Sequence, residues 1–145
     1  MNNSIRISCN LDNLKVFRNF VTEFLHPYAI NKIVLNQIIL AVDEITANLI
    51  KHANKEDESK LVKLTILQLG DTFLFELTDN GIPFDPTTYV EPDMPTKIKD
   101  KKGGGWGLFL VKQIMDKVEF SSQGNHNVCR LYKTVSKVPV PAKQD

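Results

Sequence analysis

The stretch DNGIPFDP, residues 79–86, comes directly after the hydrophobic run TFLFELT, residues 72–78. An acid and a glycine follow the predicted strand, and two prolines and a second acid come next. An isolated segment of this kind is typical of an Asx-type turn after a strand. The alternative is a binding edge at the strand end, followed by a lid. The segments on either side of it favour the second interpretation.

At a binding edge, Asp79 would accept a hydrogen bond from an exocyclic amine such as that of adenine. Gly81 would let the backbone approach a flat ring, or would adopt a positive φ. Pro83 and Pro86 fix φ where a lid would begin, which limits the entropy lost when the lid becomes ordered.

Upstream lies AVDEITANLIKHA, residues 41–53, in a predicted helix. Glu44 and Asn48 are four residues apart, so their side chains share one face, next to the apolar stripe. Carboxylate and amide oxygens suit Mg²⁺, and the glutamate could take a proton from a nucleophile or orient a water. Taken alone, the pair is more typical of a solvated helix face.

Downstream lies KKGGGWGLFLVKQI, residues 101–114, in which a glycine run leads into a helical pattern. The unpaired N–H groups and the dipole of a helix start favour phosphate binding. A flexible hinge has a similar composition, but continuation into an amphipathic helix favours the phosphate site.

Composition narrows the functional classes. The 145 residues predict one domain, at 1–136, and a flexible tail at 137–145. The net charge of +1 gives no general attraction to nucleic acid or membranes. We find no apolar run expected to span a bilayer and no secretory signal, and therefore expect a cytoplasmic protein. Cys9 and Cys129 are predicted to be core thiols, and histidine and cysteine spacing predicts no all-protein metal site.

The hydrophobic periodicity predicts the order β-α-α-β-β-loop-α-β-β. The two helices near the N-terminus are expected at about 14–25 and 31–53. Hairpins are expected around Gly70-Asp71 and Gly124-Asn125. Helical spacing returns in GWGLFLVKQIMDKV, residues 105–118, through Leu108, Val111, Ile114 and Met115. The predicted fold is an α+β two-layer sandwich with a mixed, mostly antiparallel sheet and helices on one face.

In this order and spacing, the three motifs resemble the GHKL ATPase superfamily, and most closely its small anti-sigma-factor serine/threonine kinases. The resemblance covers about residues 5–134. It implies a GHKL-type fold that binds ATP and Mg²⁺, with an ATP lid at 85–102. By the same resemblance, Asn48 coordinates Mg²⁺, Glu44 is the catalytic base and Asp79 binds the adenine amine. Gly81 packs near the base, and the glycines on the phosphate side are Gly103, Gly105 and Gly107.

The resemblance also implies partners, namely a sigma factor and a STAS-type antagonist phosphorylated on serine or threonine, together with a possible homodimer. The lid lysines, among them Lys102, are either solvated or contact the polyphosphate. Many anti-sigma kinases carry an arginine between the last glycines, where this chain has Gly104, Gly105 and Trp106. That departure favours an alternative, a nucleotide-dependent binding module without phosphotransfer. A detached catalytic half of a histidine kinase is a third possibility, but we find no helix bearing a suitable phosphoacceptor histidine.

Overall fold

The computed structural model describes residues 3–83 and 104–135, and the side chains of 104–106 are not among those described. The described elements follow the predicted order, with three α-helices and five strands. Their bounds are β1 Ser4–Ser8, α1 Leu14–Leu25, α2 Lys32–Asn48, β2 Leu61–Leu69, β3 Thr72–Asp79, α3 Gly104–Ile114, β4 Lys117–Gln123 and β5 His126–Thr134.

Helix α2 carries the first motif, and its start agrees with the prediction. Asn31 is its N-cap, with a side chain that accepts a hydrogen bond from the backbone N–H of Ile33 at 2.8 Å. The helix continues without a break into a π-helical turn, Leu49–Ala53. The predicted helix through Ala53 is therefore correct in extent, but its last turn is wound more widely than an α-helix.

The sheet has the strand order β1-β2-β3-β5-β4. All four pairings among the described strands are antiparallel, which confirms the mostly antiparallel sheet and adds no parallel pair to it. Both predicted hairpins are present, and Gly70 and Gly124 take positive φ values of 67° and 60° in their turns. In this register, the last residue of β3, Asp79, faces Asn127 of β5.

One hydrophobic core joins the helices to one face of the sheet. The inward-facing residues of β2 alternate along the strand, with Val62, Leu64 and Ile66 fully buried. Residues from all three helices belong to the same buried cluster, among them Val21, Ile45 and Val111. Helices on one face of an antiparallel sheet give the expected two-layer α+β architecture.

Helix α3 ends at Ile114, one residue before Met115, the last residue of the predicted helical spacing, and the Lys133 Nζ donates to the carbonyl of Ile114 at 2.7 Å. One sequence-based expectation needs correction. The expectation that no apolar run could span a bilayer fails on length and composition, since the joined helix Lys32–Ala53 is long and apolar enough. We assign it to the core, because its inner face belongs to the buried cluster.

Candidate functional site

The first and third motifs meet where α2 packs beside the start of α3. Gly107, in the first turns of α3, is buried and faces the Glu44 carboxylate. A Cβ added at Gly107 would lie 2.6 Å from Glu44 Oε1 and 3.7 Å from Asn48 Nδ2. The structure thus brings Gly107 against Glu44 and Asn48, which lie more than 50 positions before it in sequence, and the glycine leaves room for the two polar side chains.

The π-helical turn after Asn48 contacts the second motif. Its wide winding is closed by a hydrogen bond from the Asn54 backbone N–H to the Leu49 carbonyl at 2.9 Å. At its end, the Ala53 carbonyl accepts a hydrogen bond from the Ile82 N–H at 2.8 Å. Single π-turns within helices occur frequently at functional sites. Here the turn attaches the end of α2 to the loop that follows β3.

Asp79 is the centre of a buried polar network at the end of β3, with a side chain only 4% exposed. Its Oδ2 accepts hydrogen bonds from the Gly81 N–H at 2.8 Å and from Asn54 Nδ2 at 3.0 Å, with Asn127 Nδ2 further away at 3.4 Å. Its Oδ1 is buried and has no hydrogen-bond partner among the described residues. A buried carboxylate oxygen left without a donor is costly. Asp79 therefore offers one acceptor to a ligand that brings an N–H group.

Gly81 is needed for a reason that the sequence did not indicate. The backbone φ of Gly81 is not in the positive range, and the expected alternative of a positive φ at Gly81 is therefore wrong. A Cβ at this position would instead collide with the backbone carbonyl of Ala53 and lie 2.6 Å from Asn54 Oδ1. The described contacts explain the glycine by the close approach of the loop to the end of the π-turn. Packing of Gly81 against a purine stays a prediction.

Two asparagines in this network were missed in the sequence. Asn127 Nδ2 donates to the Gly81 carbonyl at 2.8 Å, and its Oδ1 accepts from Ser122 Oγ at 2.7 Å. Asn54 Nδ2 donates both to the Leu49 carbonyl and to Asp79. A signal was available for each. Asn127 occupies a core-facing position in the alternation of β5, and Asn54 lies four residues after the buried Ile50, where an apolar residue would be expected.

The two cysteines lie near Asp79 and are free, as predicted. Burial, and secondarily the negative charge of Asp79, raise the pKa of Cys129 to about 12. The same two effects, with a smaller contribution from Asp57, raise the pKa of Cys9. Cys9 follows β1 and Cys129 is in β5, with two strands between them, a separation of about 14 Å. That is too far for a disulfide.

Several predicted site residues lie outside the described part of the chain. They are Lys102, Gly103 and the whole proposed lid, residues 85–102. The proposed tail, residues 137–145, also lies outside the described part. Gly105 lies in α3, but its surroundings are not described. Among residues 3–83 and 104–135, no group of three or more histidine, cysteine, aspartate or glutamate side chains could hold a metal ion. The Glu44 and Asn48 oxygens fit Mg²⁺ only as a partial ligand set, which a magnesium that keeps several waters and binds substrate phosphates would accept.

The chain is similar to proteins of known family and fold. The sequence profile of the histidine kinase-like ATPase domain matches residues 7–133. The chain is similar to the serine/threonine-protein kinase BtrW of Bordetella bronchiseptica, with 27% identity over 90 residues, which cover 62% of this chain and 63% of that protein. It is also similar to the serine-protein kinase RsbW of Halalkalibacterium halodurans, with 36% identity over 89 residues, 59% of this chain and 54% of that protein.

In fold, the chain resembles a chain of the SiaB–SiaC complex from Pseudomonas aeruginosa, with a TM-score of 0.68 at 12% identity, over 89% of this chain and 87% of that one. The matches to the two kinases span less than two thirds of their lengths. The profile match, by contrast, covers most of this chain and includes all the described site residues. This chain therefore belongs to the family of histidine kinase-like ATPase domains.

Proposed function

We propose that this chain binds Mg-ATP and transfers its γ-phosphoryl group to a serine or threonine of a STAS-type antagonist protein. The single observation that supports the binding site best is the placement of three motifs around one end of α2. Glu44 and Asn48 face Gly107 at the start of α3, and the π-turn joins the same helix to Asp79. Membership in an ATPase family and the named kinase relatives support the nucleotide and the reaction class.

In this proposal the adenine amine donates to Asp79 Oδ1, the buried acceptor that has no partner among the described residues. The triphosphate lies toward the start of α3, where unpaired backbone N–H groups and the helix dipole attract anions. Asn48 would hold magnesium, which supplies charge neutralisation on the phosphates when it is bound. Lys102, Gly103 and Gly105 are proposed to contact the phosphate groups.

Glu44 is proposed as the base that accepts the proton of the attacking hydroxyl. It is half-buried and lies beside Asn48 at the predicted phosphate end. Phosphoryl transfer depends mainly on positioning and charge neutralisation, so one well-placed carboxylate and a metal site are a sufficient protein contribution. The proposed setting is a cytoplasmic switch in which a sigma factor and the antagonist compete for the same protein, which we propose to act as a homodimer. No contact with nucleic acid or membrane is proposed.

A second candidate is a nucleotide-dependent binding module that does not transfer phosphate. The observation that favours it is the sequence between Gly103 and Gly107, which has glycines and Trp106 where an arginine is common in the anti-sigma kinases. Without that charge, ATP would still order the lid and select a partner-binding conformation. The two candidates share the site and differ only in transfer.

The test is incubation of the purified chain with labelled ATP, Mg²⁺ and candidate STAS proteins, followed by mapping of any labelled residue. Glu44→Gln is expected to retain ATP binding and to lower transfer at least 100-fold, a typical contribution of general base catalysis, on the order of 10²–10⁴. Glu23→Gln, the same change at an exposed position on α1, is the matched control and should transfer normally. Binding of ATP with no transfer to any partner supports the module, and transfer by Glu44→Gln at the control rate removes the base assignment.

A further inference from the structure

The outer face of α2, the side turned away from the sheet, carries no charge over more than two turns. Between Lys32 and Asp43 the sequence is IVLNQIILAV, residues 33–42, and none of these side chains is ionisable. The exposed ones among them are Ile33, Asn36, Gln37 and Leu40. The exposed face of a surface helix normally carries charged side chains. The uncharged outer face of α2 therefore needs an explanation.

Helix α1, which packs beside α2, has an exposed face of the usual kind, with Lys15, Arg18 and Glu23. On α2, by contrast, Ile33 is 70% exposed and Leu40 is 41% exposed. Among the side chains that the structure describes, these two are the only large apolar ones that are exposed on a helix. A single exposed apolar residue is ordinary. Two of them on one uncharged face form an apolar patch.

The apolar pair is aligned with the proposed base. Leu40 is seven positions after Ile33 and four positions before Glu44. At about 100° per residue, the three side chains therefore fall within about 40° of one another around the helix axis. At about 1.5 Å per residue, Leu40 lies about 6 Å and Ile33 about 16 Å before Glu44 along that axis. The outer face of α2 thus leads to Glu44.

Helix α3 closes the opposite side of Glu44. Gly107 faces the carboxylate, and a Cβ added there would lie 2.6 Å from Oε1. In the proposed function the phosphates lie on that side, toward the start of α3. A hydroxyl that gives its proton to Glu44 therefore approaches from the side of Leu40. The protein that carries this hydroxyl has to lie over the outer face of α2.

We propose that Ile33 and Leu40 form a docking surface for the phosphoacceptor protein, which places apolar side chains over them next to its serine or threonine. The inference rests on the proposed function, because it names the surface by which the acceptor reaches Glu44. Interface cores are depleted in lysine, glutamate and aspartate, and residues 33–42 contain none of these. Transient complexes have small interfaces, as suits an acceptor that leaves after each transfer.

The experiment measures the Kd of the acceptor by calorimetry, with Mg²⁺ and a non-hydrolysable ATP analogue, on four proteins. The probe is the STAS protein that the wild-type chain labels or binds in the assay above. Leu40→Gln and Ile33→Gln remove apolar contact without lowering helix propensity. We expect Leu40→Gln to raise the acceptor Kd about 10-fold, and Ile33→Gln, which is further from Glu44, about threefold.

The matched control is Leu61→Gln, the same change at a leucine that is 51% exposed. Leu61 begins β2 and precedes the inward-facing Val62, so it lies on the sheet face away from the helices. This variant should keep the wild-type Kd for the acceptor. An equal loss of affinity in Leu61→Gln would overturn the docking surface, because the effect would not depend on the face of the molecule.

Two further measurements separate docking from other occupants of the outer face. The Kd for ATP alone and the mass measured by sedimentation should be the same in all four proteins. Where phosphate is transferred, the KM for the acceptor should rise with its Kd while kcat stays unchanged. Weaker ATP binding in the α2 variants would assign the face to the nucleotide lid, and a changed mass would assign it to a second copy. Either result overturns the proposal.

The failure of this inference is distinguishable from the failure of the proposed function. Acceptor Kd values within twofold of wild type in both α2 variants overturn the docking surface and leave the proposed function standing. A wild-type chain that binds ATP but neither labels nor binds any STAS protein overturns the proposed function and the docking surface together.

Discussion

The two ends of the candidate site are built differently. At the end of β3, Asp79, Asn54 and Asn127 are buried, and hydrogen bonds join them to one another or to the loop at Gly81. At the start of α3, Glu44 and Asn48 are half-buried and lie against a glycine. The proposed base end, around Asp79, is thus part of the folded core, whereas the proposed phosphate end, around Gly107, depends on space left by a missing side chain. A change at the first should affect stability, and a change at the second mainly function.

Gly81→Ala should give the largest effect on stability. The added methyl group meets the Ala53 backbone carbonyl, which cannot move without shifting the π-turn and the loop. We expect a loss of about 3 kcal/mol, the upper part of the range for overpacking, and weaker ATP binding as well. Chemical denaturation followed by circular dichroism measures it. A loss below 1 kcal/mol, at most the size of ordinary surface effects, would show that the base end is more adaptable than its contacts indicate.

Cys129 tests how deeply the base end is buried. Because burial and the charge of Asp79 raise its folded pKa from 9.0 to about 12, the folded chain keeps its thiol proton where the unfolded chain loses it. The stabilisation that this thiol contributes to the folded state is fully present below pH 9. It falls between pH 9 and 12, by up to about 1.4 kcal/mol per pH unit. Cys129→Ala should have a shallower decrease over that window.

The comparison of slopes isolates the thiol, since Cys9, whose pKa is also raised, and the other titrating groups are present in both proteins. Denaturation midpoints at intervals from pH 8 to 11 supply the measurement. Equal slopes for wild type and Cys129→Ala would mean that the thiol is more solvated than the structure shows.

Gly107→Ala should give the smallest effect on stability and the clearest contrast with Gly81→Ala. Among the described residues, the closest contact of the new methyl group is with the end of the flexible Glu44 side chain, which can rotate away. Alanine in a helix is also better than glycine by up to about 1 kcal/mol. We expect unchanged or slightly higher stability. Phosphoryl transfer should fall at least 10-fold, about 1.4 kcal/mol in the barrier, because Glu44 is displaced.

Thermal unfolding and a transfer assay on the same preparation test both parts. Should Gly107→Ala destabilise the chain as much as Gly81→Ala, the proposed difference between the two ends is wrong.

The fold was largely predictable because its signals are local. The helix start at Asn31 and the Gly70 and Gly124 turns each depend on a few neighbouring residues, and all are present as expected. The end of α3, at Ile114, lies within one residue of the predicted helical spacing, whereas its contact with Lys133 of β5 has no signal among neighbouring residues. The expectation that no apolar run could span a bilayer failed because polar residues interrupt every continuous apolar run in Lys32–Ala53 but leave the helix apolar on average.

The sequence by itself determined which residues are chemically suited to the site: Glu44, Asn48, Asp79 and a glycine-rich helix start. Only the tertiary structure decided that Gly81 is required by a helix end. It also decided that Asn54 and Asn127 donate to one Asp79 oxygen, while the other has no partner among residues 3–83 and 104–135. The physical reason is the distance along the chain over which each interaction acts. Periodicity, caps and turns act between neighbours in the chain, whereas the partners of Asp79 come from elements 25 and 48 residues away, which meet only when the sheet and helices have packed.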